Sequence, residues 1–299
     1  MIPNANDGSA TPARMRCYLN LMTLEGLPPD SSGPATTDWE ARLAAICDAG
    51  YEGIQFTEPA TKEQLASCAR SKLGRVGGGR INEPKDAQDL ALRFADEGME
   101  CATVHVGWGM EDDAQVFVLL EAVLAASVRN RVPLYVETHR ATIVQDMWRT
   151  VQFVKRFPEI RFNGDFSHWY TGLEMVYGGF ENKFEFIRPV LERVSFLHGR
   201  IGDPGSMQVD VGSGDVETHP YVAHFRALWT ASFAGFLRSA APGDTICFTP
   251  ELLAPKIYYA RTVGDTEESD RWQQSLVLAR IARECFAAAG FTPSGSRES

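Results

Sequence analysis

CATVHVGWGMEDDAQVFVLLEAVLAASVRNRVPLYVE, residues 101–137, holds one complete strand–helix–strand unit. CATVHV (101–106) is a short apolar run rich in β-branched residues, and PLYVE (133–137) is another. Between them DAQVFVLLEAVLAASVRN (113–130) has the length and apolar content of a helix. Two strands joined through a helix lie parallel in one sheet. The second strand closes on a carboxylate, Glu137, with His139 and Arg140 just behind it. A strand leaving the core and turning polar is the ordinary explanation. A strand that delivers a ligand to a site is the other, and the rest of the chain decides between them.

The same unit recurs outward in both directions. Towards the N-terminus lie strand CYLNLM (17–22) with helix 38–50, capped by Asp38 and stopped by Gly50, and strand YEGIQF (51–56) with helix 61–74. RVGGGRI (75–81) follows, a weak strand with three glycines, and then helix 83–98. Beyond residue 137 come helix 144–157, strand RFNGDFS (161–167) with helix 183–194, and strand SFLHGRI (195–201) with helix 219–240. Strand TICFTPEL (245–252) and helix 270–290 complete the series. Eight strand-then-helix units in strict alternation predict an α/β fold, a single-domain (β/α)8 TIM barrel over residues 16–290. Residues 1–15 read as a flexible N-terminal extension and 291–299 as a flexible tail. A doubly wound open sheet is the alternative. However, no GxGxxG follows the first strand, and GRVGGGR fits neither that fingerprint nor a GxxxxGK[ST] phosphate loop.

Composition narrows the function classes. The 299 residues carry a formal charge of −10, which disfavours a nucleic-acid partner. The six cysteines are scattered without a CxxC pair, several within apolar runs, as reduced buried thiols are. No apolar run reaches the roughly 20 residues of a membrane span, and MIPNANDGSATPARM lacks the apolar stretch of a signal peptide. The expectation is a soluble, cytoplasmic protein.

In a barrel the C-terminal strand ends form the active face, so the polar residues found there matter most. The fourth strand ends near His105, and the fifth on Glu137. Asp165, His198 and Glu251 stand at the ends of the sixth, seventh and eighth. Three carboxylates crowded together resist ionisation unless a positive charge sits among them. A divalent cation meets that need. Three carboxylates and one imidazole, with no cysteine, suit Mn²⁺, Mg²⁺ or Co²⁺ better than structural zinc.

VET on the fifth strand, GDFSH on the sixth, LHGR on the seventh and PEL on the eighth, in that order, resemble the xylose-isomerase-like barrel superfamily. That group includes ketose 3-epimerases and other sugar isomerases, inosose dehydratase and the AP endonuclease IV group. The resemblance covers residues 16–290, and its most specific part pairs Asp165 and His168 with His198 and Arg200. It implies that Glu137, Asp165, His198 and Glu251 are metal ligands and that Glu137 and Glu251 are also the acid/base pair. His168 and Arg200 would bind substrate oxygens, although His168 could equally orient Asp165. His105 and His139 divide evenly between substrate contact and support of the ligands. Trp108 would wall the pocket against a sugar face or serve in packing. A homodimer is compatible with the resemblance.

A metal chelating a carbonyl oxygen and the neighbouring hydroxyl would stabilise an enediolate. Two carboxylates on opposite sides could then exchange protons, giving epimerisation or isomerisation of a sugar or cyclitol. Loss of a β-hydroxyl from the same intermediate would make the protein a dehydratase. A phosphodiesterase like endonuclease IV is disfavoured by the acidic chain and by only six histidines. A non-catalytic sugar-binding barrel is disfavoured by the intact ligand set. Two long segments, 202–218 with Asp203, Asp210 and Asp215, and 254–272, lie on the active face; the aspartates are expected to solvate a surface loop.

Overall fold

A computed structural model describes residues 2–34 and 36–290. Its barrel strands are β1 (Arg14–Asn20), β2 (Gly53–Phe56), β3 (Gly74–Ile81), β4 (Cys101–Val106), β5 (Leu134–Glu137), β6 (Phe162–Asn163), β7 (Val194–Gly199) and β8 (Asp244–Pro250). Each pairs in parallel with the next, and β8 pairs back in parallel with β1, so the sheet closes into a (β/α)8 barrel. The helices are α1 (Trp39–Asp48), α2 (Lys62–Arg70), α3 (Pro84–Asp96), α4 (Asp113–Asn130), α5 (Met147–Arg156), α6 (Phe166–Gly172), α7 (Phe180–Phe186), α8 (Arg188–Leu191), α9 (Tyr221–Ser239) and α10 (Arg271–Gly290).

Local chemistry sets the helix starts. The carboxylate of Asp38 accepts from the Glu40 amide, and Thr61 with Gln64 and Asp112 with Gln115 form capping boxes. The three glycines of β3 have separate roles. A Cβ on Gly77 would sit 2.5 Å from the Phe94 ring and one on Gly79 2.9 Å from Leu90, so both let α3 lie close against the strand. Gly78 faces the other way, and its nearest neighbours would be 3.7 Å from an added Cβ.

Three expectations are corrected. The sixth strand does not run to residue 167: it is only Phe162–Asn163, and the chain turns so that Asp165 caps α6. Helix 183–194 is two short pieces, α7 and α8, divided at Ile187. Pro189 enters the second piece, where its missing N–H does no harm. The N-terminal extension is not free. Ile2 is fully buried, and Ala5–Asn6 pair antiparallel with Asp244 and Thr245 at the start of β8. The Tyr135 hydroxyl accepts from the Ala5 amide (2.9 Å), and Arg161 Nε donates to the Ile2 carbonyl (2.8 Å). The segment plugs the end of the barrel opposite the candidate site, where inward polar groups would otherwise lack partners. Residues 291–299, expected as a tail, lie outside the described residues. All six cysteines are free thiols, and no helix among the described residues is long and apolar enough to cross a membrane.

Candidate active site

Strand alternation sends Gln55, Thr103, Glu137, Asn163 and His198 into the barrel, where they hydrogen-bond one another. At their centre is the Nδ1 atom of His198, buried and without a hydrogen-bond partner. Glu137 Oε2 lies 3.4 Å from it, Glu251 Oε2 3.5 Å and Asp165 Oδ2 4.0 Å. These four donor atoms all lie within 4.8 Å of one another, close enough to share one cation. Each carboxylate is also fixed from outside the cluster. Glu137 Oε1 faces His105 Nε2 at 3.1 Å, while its Oε2 accepts from Thr103 (2.8 Å) and Asn163 (3.1 Å). Asp165 Oδ1 accepts from the hydroxyl and amide of Ser167, and Glu251 Oε1 from Asn20 (3.2 Å). The opposite ring nitrogen of His198, Nε2, meets the Gln55 amide group at 3.0–3.2 Å. Asn20 donates to Gln55 Oε1 and so orients the Gln55 amide; with a cation on Nδ1 the ring proton would lie on Nε2, where that oxygen could accept it.

The electrostatics require a positive charge at this point. Burial alone would lower the pKa of His198, but Glu251 and Glu137 outweigh it and push the imidazole up to about 9. Burial would raise Glu137, yet His105 and His198 hold it well below the ordinary carboxylate value. Asp165 is likewise held low, chiefly by Arg200, against its burial. Glu251 goes the other way: burial raises it more than His198 and Arg200 lower it. Either a proton on His198 or a bound cation must balance the cluster. A nitrogen and three carboxylate oxygens form a donor set that fits a hard divalent ion.

The other residues singled out in the sequence divide. His105 and His139 reach the cavity beside the cluster, which has a volume of about 340 Å³ and is also lined by Glu137, His198 and Glu251. That volume suits a small polyol. His168 and Arg200 are each only 1% exposed and lie behind the cavity wall. One Arg200 nitrogen donates to both Asp165 and Glu251 (2.8 Å to the latter), so Arg200 braces two of the clustered carboxylates. His168 packs against His139, with ring centres 3.8 Å apart and the rings tilted by 45°, and faces Asp165 at 3.5 Å; burial holds it neutral. Trp108 stands apart from the cavity lining. Half-exposed, it covers the guanidinium of Arg80 at 3.9 Å. Asp203, Asp210 and Asp215 each accept from amides of their own loop, as turn residues do.

His105, Glu137 and His139 form a second close group of donors. Arg80 faces His105 Nδ1 at 3.3 Å and can only donate, so the ring proton lies on Nε2 and is given to Glu137. This group supports Glu137 by hydrogen bonding. Sequence reasoning missed Asn20, Gln55, Thr103, Asn163 and Arg80. The first four left one signal, a polar side chain within or ending an otherwise apolar barrel strand.

No protein-family model matches the chain, and no curated protein matches it in sequence. Solved structures do. One is described as the probable 3-DHS dehydratase AsbF involved in petrobactin synthesis, from Bacillus anthracis. It is 12% identical, with 89% of this chain and 97% of that one covered and a TM-score of 0.54. Protein SMc04130 from Sinorhizobium meliloti 1021 is also 12% identical, over 92% of this chain and 98% of its own, with a TM-score of 0.53. The likeness is one of fold. Function has to be argued from the site.

Proposed function

We propose that the protein is a divalent-metal-dependent enzyme of the xylose-isomerase-like kind, an isomerase or epimerase that moves a proton at the carbon beside a carbonyl. The observation that carries this reading is the convergence of three carboxylate oxygens, from three different strand ends, on the unpartnered Nδ1 of His198. Glu137, Asp165, His198 and Glu251 would hold the ion. Bound there, a Mn²⁺, Mg²⁺ or Co²⁺ ion supplies Lewis-acid polarisation of a carbonyl and its neighbouring hydroxyl.

The chain's own groups divide the remaining work. Glu137 and Glu251 both line the cavity, 3.4 and 3.5 Å from His198 Nδ1, and are the two carboxylates that could take a proton from a substrate carbon and return one. Asp165, fully buried and braced by Arg200 and Ser167, is a ligand without access to substrate. A dehydratase is the second reading, favoured by the description of the AsbF structure, because loss of a β-hydroxyl needs the same first proton transfer.

The test is proton NMR in D₂O with Mn²⁺-, Mg²⁺- or Co²⁺-loaded protein and a panel of ketoses and keto-cyclitols. Washout of the signal beside the carbonyl, with a new stereoisomer or with an unsaturated product, separates the two readings. Glu251→Gln is expected to keep the fold and abolish exchange. Near-wild-type exchange in that variant would sink the assignment, and so would a metal-loaded protein that exchanges nothing.

A further inference from the structure

The end of β3 brings to the cavity a cation that the reaction described above does not use. Gly78 and Arg80 line the same wall as Glu137 and His198, and Arg80 lies beside His105 in the strand register. Gly78 has no side chain to fill the space beside Phe56, Thr57 and Thr103. The guanidinium is pinned rather than mobile. It donates to the Gly107 carbonyl (2.7 Å), faces His105 Nδ1 (3.3 Å), and has Trp108 stacked on one side at 3.9 Å. That uses two of the five N–H donors of an arginine that lines the cavity.

No carboxylate among the described residues lies at ion-pair distance from Arg80. Glu111, which is nearby in the loop, is occupied with the amides of Trp108, Gly109 and Met110. Glu137 is occupied with His105, Thr103 and Asn163. With a divalent cation in place, the three clustered carboxylates are balanced in formal charge by that ion and Arg200. Arg80 is then left with only the longer-range attraction of Glu137 and Glu111 and no direct carboxylate partner in a half-enclosed site.

We infer that Arg80 binds a carboxylate group of the substrate, so that the substrate is an acidic polyhydroxy compound rather than a neutral sugar. This rests on the metal-site reading. A fixed planar fork matches a carboxylate, and the glutamates that already attract Arg80 disfavour a doubly charged phosphate beside it. Trp108 and His105, on this account, position the fork.

The experiment is calorimetric titration of the Mn²⁺-loaded protein with matched pairs: quinate against its methyl ester, and glucuronate against glucose. The wild type should bind each acid about tenfold or more tightly than its neutral partner. Arg80→Gln should reduce that preference to about twofold or less, and Arg80→Lys should retain part of it. No preference in the wild type, an unchanged preference in Arg80→Gln, or tighter binding of glucose 6-phosphate than of glucuronate would each overturn the assignment. The same titrations on chelator-treated protein separate the two readings. An Arg80-dependent preference in protein that takes up no Mn²⁺ upholds Arg80 while the metal reading falls. Stoichiometric Mn²⁺ uptake with no preference for the acids does the reverse.

Discussion

Gln55→Leu should weaken metal binding without removing a ligand. Gln55 is fully buried, and its side-chain oxygen accepts from Asn20 at 3.0 Å and faces His198 Nε2 at 3.2 Å. Leucine fills nearly the same volume but offers no acceptor. The Nε2 proton of His198 is then left unpaired in the interior, which costs about 1–3 kcal/mol. Asn20 keeps its second contact, to Glu251 at 3.2 Å, so its loss is partial. The imidazole also loses the partner that fixes its orientation, and outer contacts of this kind are worth roughly 10–100-fold in metal affinity. The expected result is a Mn²⁺ or Co²⁺ dissociation constant raised by about that factor, read by competition with a chromophoric chelator, with an unchanged circular dichroism spectrum. Gln55→Glu, which still accepts from Nε2, should hold the affinity near that of the wild type. An unaltered affinity in well-folded Gln55→Leu would refute the idea that His198 binds through Nδ1.

The glycines of β3 should separate by face. Gly77→Ala drives a methyl into the buried Phe94 ring and should cost about 1–3 kcal/mol in denaturant unfolding, whereas Gly78→Ala meets nothing closer than 3.7 Å and should leave stability unchanged; equal losses would show that the strand is misplaced. Acid should loosen the N-terminal plug. Burial pushes Asp244 up, but hydrogen bonds from Asn4, the Ala241 amide and Asn6, with the charge of Arg161, hold it below the ordinary carboxylate value. A depressed folded pKa means that its stabilisation is complete above the unfolded value near 3.9 and is lost as the pH falls through the lowered one. The melting-temperature gap between wild type and Asp244→Asn should therefore be widest above about pH 5 and close as the pH falls towards 2. A gap independent of pH would remove Asp244 as its cause.

The barrel was legible because its elements are short, alternating and separately punctuated. β4 and α4 fall on the residues expected of them, CATVHV and DAQVFVLLEAVLAASVRN, because β-branched residues fill the strand and an aspartate capping box opens the helix. The misreadings lie where tertiary contacts override the local pattern. RFNGDFS has the apolar content of a strand, but Asp165 accepts from the Ser167 amide and starts a helix inside it. The first fifteen residues read as a flexible polar extension, and nothing in their composition reveals that Asn4 and Asn6 both find the carboxylate of Asp244, some 240 residues away.

The site was legible to a different depth. Glu137, Asp165, His198 and Glu251 are visible in the sequence because they end four consecutive strands, whereas any one of them alone would be ordinary. Their supports are harder to see. Asn20, Gln55, Thr103 and Asn163 lie on strands that otherwise read as core, and a single such residue is ordinary. Their meaning is in the register. Glu137 sits opposite Asn163 across the β5–β6 pair, and the Asn163 amide reaches both Glu137 and Thr103 from there. Asn163 Oδ1 accepts from the His198 backbone amide, so one side chain ties the second carboxylate support to the imidazole strand. Arg80 was hidden for a related reason. In GGGR the eye goes to the glycines, yet two of them answer to α3, and it is the strand's inward alternation that carries the arginine into the cavity. A polar residue on an interior face gains its role from the three or four neighbours that closure of the barrel brings to it, and those neighbours are distant in sequence by construction.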